Sequence, residues 1–234
     1  MKKIRMKSSS PERPVDRLRP IDDTFMQKLG EDREFCEEML RIIMDKPALE
    51  VISNTTQKSI HNIDTRSVTI DIKCIDEAGT VYSVEVQKAN DDDHQKRVRY
   101  NGSCLEIQLL EKGKMFKELP DVCMIFIYVN AEVDDGSDLA EYMKIFKSET
   151  VCSNIKFPRI CDLTDYYKNG KGRAEMCNVV EEYAKEYAEE YAKEYAEEGA
   201  RESARKMIAH GDDVKYISEV TGLSIEVIEE LRGK

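Results

Sequence analysis

Two stretches near the middle of the chain alternate strictly between apolar and polar residues. In Val68–Cys74 every second residue is apolar, and the spacing recurs in Tyr82–Val86. A period of two is typical of β-strands with one buried face. The intervening Asp76-Glu-Ala-Gly79 has a turn composition, with Gly79 able to adopt a positive φ. The pattern therefore predicts a β-hairpin.

The register of this hairpin brings two carboxylates together. If the hairpin is centred on Ala78, Asp71 lies directly opposite Glu85, and Lys73 and Gln87 share their face. Like charges that face each other destabilise a sheet, and a bound divalent cation would remove that repulsion. The alternative is that these residues form the solvated polar face that most amphipathic hairpins have.

The flanking patterns predict an α/β fold, in which a mixed β-sheet is flanked by helices. Apolar spacing predicts helical structure from Ile21 to Pro47, with a break near Gly30, and a further helix at 93–111. Residues 49–63 are expected to be extended. The continuous apolar run Val122–Val129 predicts a buried central strand, and short helices are expected at 138–147 and 161–168.

Charge is distributed unevenly along the chain. The formal net charge is -11, which by itself opposes nucleic-acid binding. Residues 181–198 alone contribute -6, however, whereas residues 1–20 contribute +5 and His94–Asn101 forms a second basic cluster. The basic surface is therefore expected to be local and to lie beside the paired carboxylates.

Several other classes of site are disfavoured by composition. No apolar run approaches the roughly 18 residues of a membrane helix, so no membrane partner is expected. Seven cysteines without a CxxC spacing, and only three histidines, argue against zinc. The odd cysteine count favours buried thiols in a reducing cytoplasm.

Four groups of residues resemble the motifs of a known family. In chain order they are Asp22-Asp-Thr-Phe25, then Asp71, then Gly79-Thr-Val-Tyr-Ser-Val-Glu-Val-Gln87, then Arg97-Val-Arg-Tyr-Asn101. Over residues 20 to about 130, this order resembles the PD-(D/E)XK nuclease superfamily, whose fold is restriction-endonuclease-like. Within it, the chain is most similar to the recombination-promoting nuclease and transposase branch.

The resemblance implies a metal site for Mg²⁺, with Mn²⁺ as a substitute. Asp71, Glu85 and the backbone carbonyl of Val86 would be its ligands. Gln87 occupies the usual lysine position and can orient water but supplies no charge. Asp22 would be a further acid from the first helix, with a helix N-cap as the alternative.

The resemblance also implies contacts with DNA. Lys96, Arg97 and Arg99 would contact phosphates, with a solvated helix face as the alternative. Lys73 would supply charge from the neighbouring strand.

The C-terminal part is expected to be helical. Four tetrads from Glu182 to Glu197 repeat Glu-Tyr-Ala-(Lys/Glu), a composition that favours a long exposed helix. This helix is interpreted as a spacer, with self-association into a homo-oligomer as the alternative. Beyond it, three short helices resemble a helix-turn-helix, and Val214, Ile217, Val220, Leu223, Ile225, Ile228 and Leu231 are predicted to form its small core.

These patterns predict four regions. They are a disordered basic tail at 1–19, a nuclease-like domain at 20–178, a charged helix at 179–202 and a small helical tail at 203–234. The leading hypothesis is a metal-dependent DNA endonuclease linked to recombination or transposition of mobile elements. The alternatives are a catalytically weak or inactive nuclease-fold protein that binds DNA or acts as an adaptor, and a regulatory DNA-binding protein.

Overall fold

Four strands and nine helices make up the described part of the chain, which covers residues 14–60, 67–87, 94–128 and 134–233 of a computed structural model. The strands are β1 Val51–Ile60, β2 Val68–Asp76, β3 Val81–Gln87 and β4 Val122–Tyr128. The helices are α1 Pro14–Arg17, α2 Asp23–Gly30, α3 Arg33–Ile43, α4 His94–Leu109, α5 Asp138–Phe146, α6 Pro158–Lys168, α7 Arg173–His210, α8 Val214–Thr221 and α9 Ile225–Arg232. A 3₁₀ turn, Phe116–Glu118, precedes β4.

The strands form one mixed sheet in the order β1-β2-β3-β4. The pairs β1–β2 and β2–β3 are antiparallel, whereas β3–β4 is parallel. Helices α2, α3 and α4 pack on this sheet, so the predicted α/β architecture with a mixed sheet is confirmed, and the long C-terminal helix is present.

The central hairpin has the predicted register. The β2–β3 pairs run from Ile72↔Val84 to Ile75↔Val81, which centres the hairpin on Ala78. Continuing this register by one residue brings Asp71 opposite Glu85. The buried side chain of Asp76 stabilises the turn, because it accepts hydrogen bonds from Thr80 N at 2.8 Å and from the Tyr82 hydroxyl at 2.9 Å.

The prediction that Val122–Val129 forms a central strand is wrong. Within the described residues β4 lies at an edge of the sheet, and Val129 lies outside those residues. Both faces of β4 are nevertheless covered: Ile125 and Ile127 join the main core, whereas Met124 packs beside α4. A continuous apolar run indicates that both faces of a strand are covered by other elements. An edge strand can be covered in this way as well as a central one.

Two apolar clusters lie on the sheet. The larger one packs α2, α3, α5, α6 and the start of α7 against β2, β3 and β4. The smaller one includes Cys104 and Leu105 of α4, with Ile70 and Val81 from the strands. Because α4 packs on the sheet, polar residues of β3 beneath it are shielded from water.

Residues before α2 depart from the expected disordered tail. Residues 1–13 lie outside the described residues, but Pro14–Arg17 forms α1 with Val15 buried. Asp16 of this helix makes an ion pair with Arg173 at 2.6 Å. The prediction of disorder is therefore wrong for the end of the 1–19 segment, where long-range contacts hold the chain.

One cysteine pair also differs from expectation. Cys152 and Cys161 form a disulfide, so the prediction of free buried thiols is wrong for these two. The loop before α6 folds back onto that helix and brings their Cα atoms to 5.4 Å. The remaining five cysteines are not disulfide-bonded, and Cys36, Cys74 and Cys104 among them are buried.

The chain divides into two compact units, Met1–Val180 and Glu181–Lys234. The second unit contains the tetrad repeat in α7, where the four tyrosines Tyr183, Tyr187, Tyr191 and Tyr195 are exposed. Tyr183 stacks on Tyr187 with ring centroids 6.5 Å apart, and Tyr191 on Tyr195 likewise. Over the described residues, no helix has both the length and the apolar character needed to span a membrane.

The small core of the second unit contains residues that the sequence pattern did not include. Its buried members are Ala204, Ile217 and Ile228, with Met207 and Ile208 of α7 packed against them. The predicted members Val220 and Ile225 are exposed instead. The end of α7 supplies a face to α8 and α9, and this face replaces the side chains that the prediction assigned to the core.

We expect Gly30→Ala to destabilise the protein by about 1–3 kcal/mol, because α2 packs closely on the sheet at this residue. A Cβ at Gly30 would lie 2.6 Å from Ile72 Cδ1 and 2.8 Å from Thr56 Cγ2, and Ile72 is fully buried. Urea denaturation measures the difference in free energy of unfolding.

The matched control is Gly102→Ala in α4, where the added Cβ meets Met124 Cγ at an ordinary 3.6 Å. This change should be neutral or stabilise the helix by up to about 1 kcal/mol. A Gly30→Ala protein at least as stable as wild type would contradict the close packing of α2 on β2.

Candidate active site

The polar face of β3 is buried beneath α4. All residues from Val81 to Val86 are buried, including Ser83 and Glu85 on the face opposite the main core. Glu85 is only 5% exposed. The alternative of a merely solvated polar face therefore does not hold at Glu85.

A cavity of about 890 Å³ opens between the end of this hairpin and α4. Charged and amide groups dominate its lining. They are Asp23, Asp71, Glu85, Gln87, Lys96, Arg97, Arg99 and Asn101. The cavity thus combines carboxylates from the strands with cations from α4.

Asp71 is fixed to the neighbouring strand by its carboxylate. Val86 N donates a hydrogen bond to Asp71 Oδ2 at 2.9 Å. This contact holds the Asp71 carboxylate against the peptide that follows Glu85. The two carboxylates are close enough for the charge of Asp71 to raise the pKa of Glu85.

Glu85 is held by an amide from α4. Asn101 Nδ2 donates to both carboxylate oxygens, at 3.0 and 3.2 Å, and Asn101 is itself buried. Burial raises the pKa of Glu85 to about 7; the Asn101 hydrogen bond opposes this rise, Asp71 adds to it, and Arg97 opposes it. Desolvation therefore outweighs the two groups that favour the charged form.

Gln87 is the last residue of β3, the strand that carries Glu85, and it contacts Arg97. Arg97 Nη1 donates a hydrogen bond to Gln87 Oε1. Arg97 is half-buried, whereas Lys96 and Arg99 are exposed. The three basic residues of α4 line one cavity but differ in how closely they approach the carboxylates.

Two predicted site residues are not brought to this cavity. Asp22 makes an ion pair with Arg19 at 2.8 Å and also accepts from Arg19 N at 2.7 Å. Lys73 lies beside Lys58, and its pKa is lowered by burial and by the charge of Lys58. Neither side chain lines the cavity, whereas Asp23, the neighbour of Asp22, does.

Asp22 occupies the N-cap position of α2, but its side chain makes no capping hydrogen bond. The adjacent helical position turns Asp23 toward the cavity instead, because successive residues of a helix point in different directions. The prediction for α2 was therefore one residue away from the acid that lines the site.

The donor set fits a hard divalent cation. Among the described residues, no group of three or more His, Cys, Asp or Glu side chains is arranged to hold a metal ion. Mg²⁺, however, is commonly bound by one or two carboxylates with water and substrate phosphates completing its shell. Two adjacent carboxylates, one of them buried with a raised pKa, meet that requirement.

Comparison with known families places this geometry in context. A family model described as a PD-(D/E)XK nuclease family transposase matches residues 33–158, more than half of the chain. The chain belongs to this family. No curated protein and no solved structure matched it.

Membership of the PD-(D/E)XK nuclease transposase family confirms the resemblance drawn from the sequence. It identifies the chain as a nuclease related to transposases, from a superfamily that hydrolyses phosphodiester bonds and typically uses divalent metals. The match includes Asp71, Glu85 and all of α4, but begins after Asp22 and Asp23.

Asn101 is, besides Asp23, a functional candidate that sequence reasoning missed in this PD-(D/E)XK site. It follows Arg97 by four residues, and residues spaced in this way lie on one face of a helix. That spacing, once α4 was predicted to follow the hairpin, was the available signal. Which strand residue the amide would reach depends on how α4 packs, and the sequence pattern does not give that.

We expect Glu85→Gln to stabilise the metal-free protein at pH 8 but hardly at pH 5. The pKa of Glu85 is higher in the folded protein, at about 7, than the ordinary value of 4.5. The folded state therefore binds more protons than the unfolded state between these values, and its stability falls as the pH rises. The difference in free energy of unfolding should be about 2–3 kcal/mol at pH 8 and about 1 or less at pH 5.

Urea denaturation in EDTA at the two pH values measures this difference. Glu106→Gln is the matched control, since Glu106 is exposed on the same helix. A stability gain for Glu85→Gln that does not depend on pH would contradict a raised pKa for Glu85.

Proposed function

We propose that this protein is a magnesium-dependent DNA endonuclease that hydrolyses phosphodiester bonds during recombination or transposition of mobile elements. The observation that supports the proposal most is that Asp71 and Glu85 line one cavity with the cationic residues of α4. The chain in which they do so belongs to a nuclease family. Carboxylates suit the metal and cations suit the phosphates of the substrate. Mn²⁺ is expected to substitute for Mg²⁺.

Asp71, Glu85 and the backbone carbonyl of Val86 would hold the metal ion. When bound, such an ion polarises the phosphate and lowers the pKa of a coordinated water. Because Glu85 must be ionised to act as a ligand and its pKa is about 7, metal affinity should rise as the pH passes through neutrality.

The remaining lining residues would position substrate and water. Lys96 and Arg99 are exposed along the cavity and suit DNA phosphates. Asn101 keeps the Glu85 carboxylate in place through its two hydrogen bonds. Asp23 takes the role first assigned to Asp22, as the acid that α2 contributes. Lys73 has no role here because it lies beside Lys58.

We also propose the compartment in which the protein acts and the roles of its C-terminal regions. A reducing cytoplasm would give the protein access to DNA, although the disulfide Cys152–Cys161 is not what such a compartment favours. The charged helix at 179–202 would act as a spacer between a nuclease domain at 20–178 and the helical tail at 203–234. Self-association through its exposed tyrosines is the alternative role.

One observation favours a second candidate function. The usual lysine position holds Gln87, a neutral group that supplies no charge to the reacting phosphate. A catalytically weak or inactive nuclease-fold protein that binds DNA, or acts as an adaptor, is therefore the alternative to an efficient enzyme.

Plasmid nicking in Mg²⁺ tests the proposed activity. Wild type should nick the plasmid in Mg²⁺ and in Mn²⁺ but not in EDTA. Asp71→Ala and Glu85→Ala should each lower the rate by about 100-fold or more, because each removes a charge that binds the metal.

Asp121→Ala is the control, since Asp121 is exposed beside β4 and outside the cavity. It should retain the wild-type rate. If folded wild type nicks in neither metal, the inactive DNA-binding or adaptor function replaces the proposed one.

A further inference from the structure

The cationic residues of α4 fall into two rows on the helix. Lys96, Arg99 and Ser103 follow one another at spacings of three and four, and all three are exposed. Arg97 and Asn101, four residues apart, form the inner row, which faces β3 through contacts with Gln87 and Glu85. Of the two rows, the inner one makes the hydrogen bonds to β3 that are seen among the described residues.

The guanidinium of Arg97 is held in place by Gln87. One of its N–H groups donates to Gln87 Oε1, and Arg97 lines the same cavity as Asp71 and Glu85. An arginine has five N–H donors in a rigid planar fork. Within the described residues only this one bond of the Arg97 guanidinium is seen. The other four N–H groups have the geometry that binds phosphate oxygens in pairs.

Gln87, by contrast, lacks the positive charge that the reaction needs. Negative charge builds up on the phosphate oxygens in the transition state, and fixed cations stabilise it. The amide of Gln87 is neutral, and its carbonyl oxygen is already accepting from Arg97. A positively charged side chain that acts beside the proposed metal ion would therefore come from a neighbouring element.

We propose that Arg97 is a catalytic residue whose guanidinium, held by Gln87, supplies to the scissile phosphate the positive charge that Gln87 lacks. This inference rests on the proposed endonuclease function. Gln87 then acts as a positioning residue for Arg97. Lys96 and Arg99 bind the DNA backbone from the outer row.

The chemical step leaves Arg97 unchanged. The water oxygen forms a bond to phosphorus while the bond from phosphorus to the leaving sugar oxygen breaks. The water loses one proton to solvent, and the leaving oxygen gains one. Arg97 keeps its charge throughout, because a guanidinium is not deprotonated in proteins, and it only stabilises the negative charge on the phosphate oxygens.

The same contact explains why residue 87 is not a lysine. A lysine ammonium there would face the Arg97 guanidinium, and two like charges at hydrogen-bond distance repel. Either a lysine at residue 87 or an arginine at residue 97 can supply the charge, but both together disturb each other. The two positions should therefore be strongly coupled.

The test compares single-turnover cleavage in Mg²⁺ at saturating DNA with DNA affinity in Ca²⁺, which supports binding without rapid cleavage. Arg97→Met should lower the cleavage rate by about 100-fold or more and change the affinity by less than about threefold. Arg99→Met in the outer row should mainly weaken affinity, by about five- to tenfold. The matched control that keeps both affinity and rate is Lys117→Met, since Lys117 is exposed and does not line the cavity.

A double-mutant cycle then tests the coupling. Gln87→Lys alone should lower the rate. The double variant Gln87→Lys/Arg97→Met should cleave at least about tenfold faster than Arg97→Met alone. Arg97→Lys keeps the charge without the planar fork, so its rate should lie between those of wild type and Arg97→Met. Thermal denaturation of each variant identifies those that are folded.

Three outcomes would overturn the proposal. The first is that Arg97→Met and Arg99→Met lose affinity alike and retain the saturated rate, which would make Arg97 a DNA contact only. The second is that folded Arg97→Met cleaves like wild type, or that adding Gln87→Lys to it restores none of the lost rate. The third is that wild type itself does not cleave, which overturns the endonuclease function as well and is distinguished by that control.

Discussion

The packing of α4 across the hairpin is the contact on which the candidate site depends. Without α4, the polar face of β3 would be open to water and Glu85 would be an ordinary surface carboxylate. With α4 in place, Glu85 is buried and its two oxygens are held by Asn101. One helix therefore provides the low-polarity surroundings, the orienting amide and a cation, Arg97, that lines the same cavity.

This arrangement costs stability in the absence of a ligand. A buried carboxylate beside a second acid is favourable only when a cation compensates it, and the Asn101 amide and Arg97 guanidinium do so only in part. Strongly perturbed carboxyl groups of this kind cluster at functional sites. The energetic cost and the proposed capacity to bind a metal thus have one origin, namely a charge kept out of water.

Not every part of the fold could be predicted from local pattern. The edge position of β4 was missed because an apolar run reveals how many faces are covered but not which strands lie alongside. The α1 helix and the core contribution of Ala204 were missed for a related reason, since both depend on partners distant in the chain. Asp23, which lines the cavity, differs from the predicted Asp22 by a single helical position, and one position rotates a side chain by about 100°.

The sequence by itself determined the hairpin register and therefore the meeting of Asp71 with Glu85. A period of two, together with a compact turn, fixes which residues oppose each other. The tertiary structure decided which groups complete the site. Whether Asp23 or Asp22 reaches the cavity, and whether Arg97 approaches Gln87 while Lys73 is left beside Lys58, follows from how helices pack on the sheet. Packing of this kind depends on the shapes of surfaces far apart in the chain, which local periodicity does not encode.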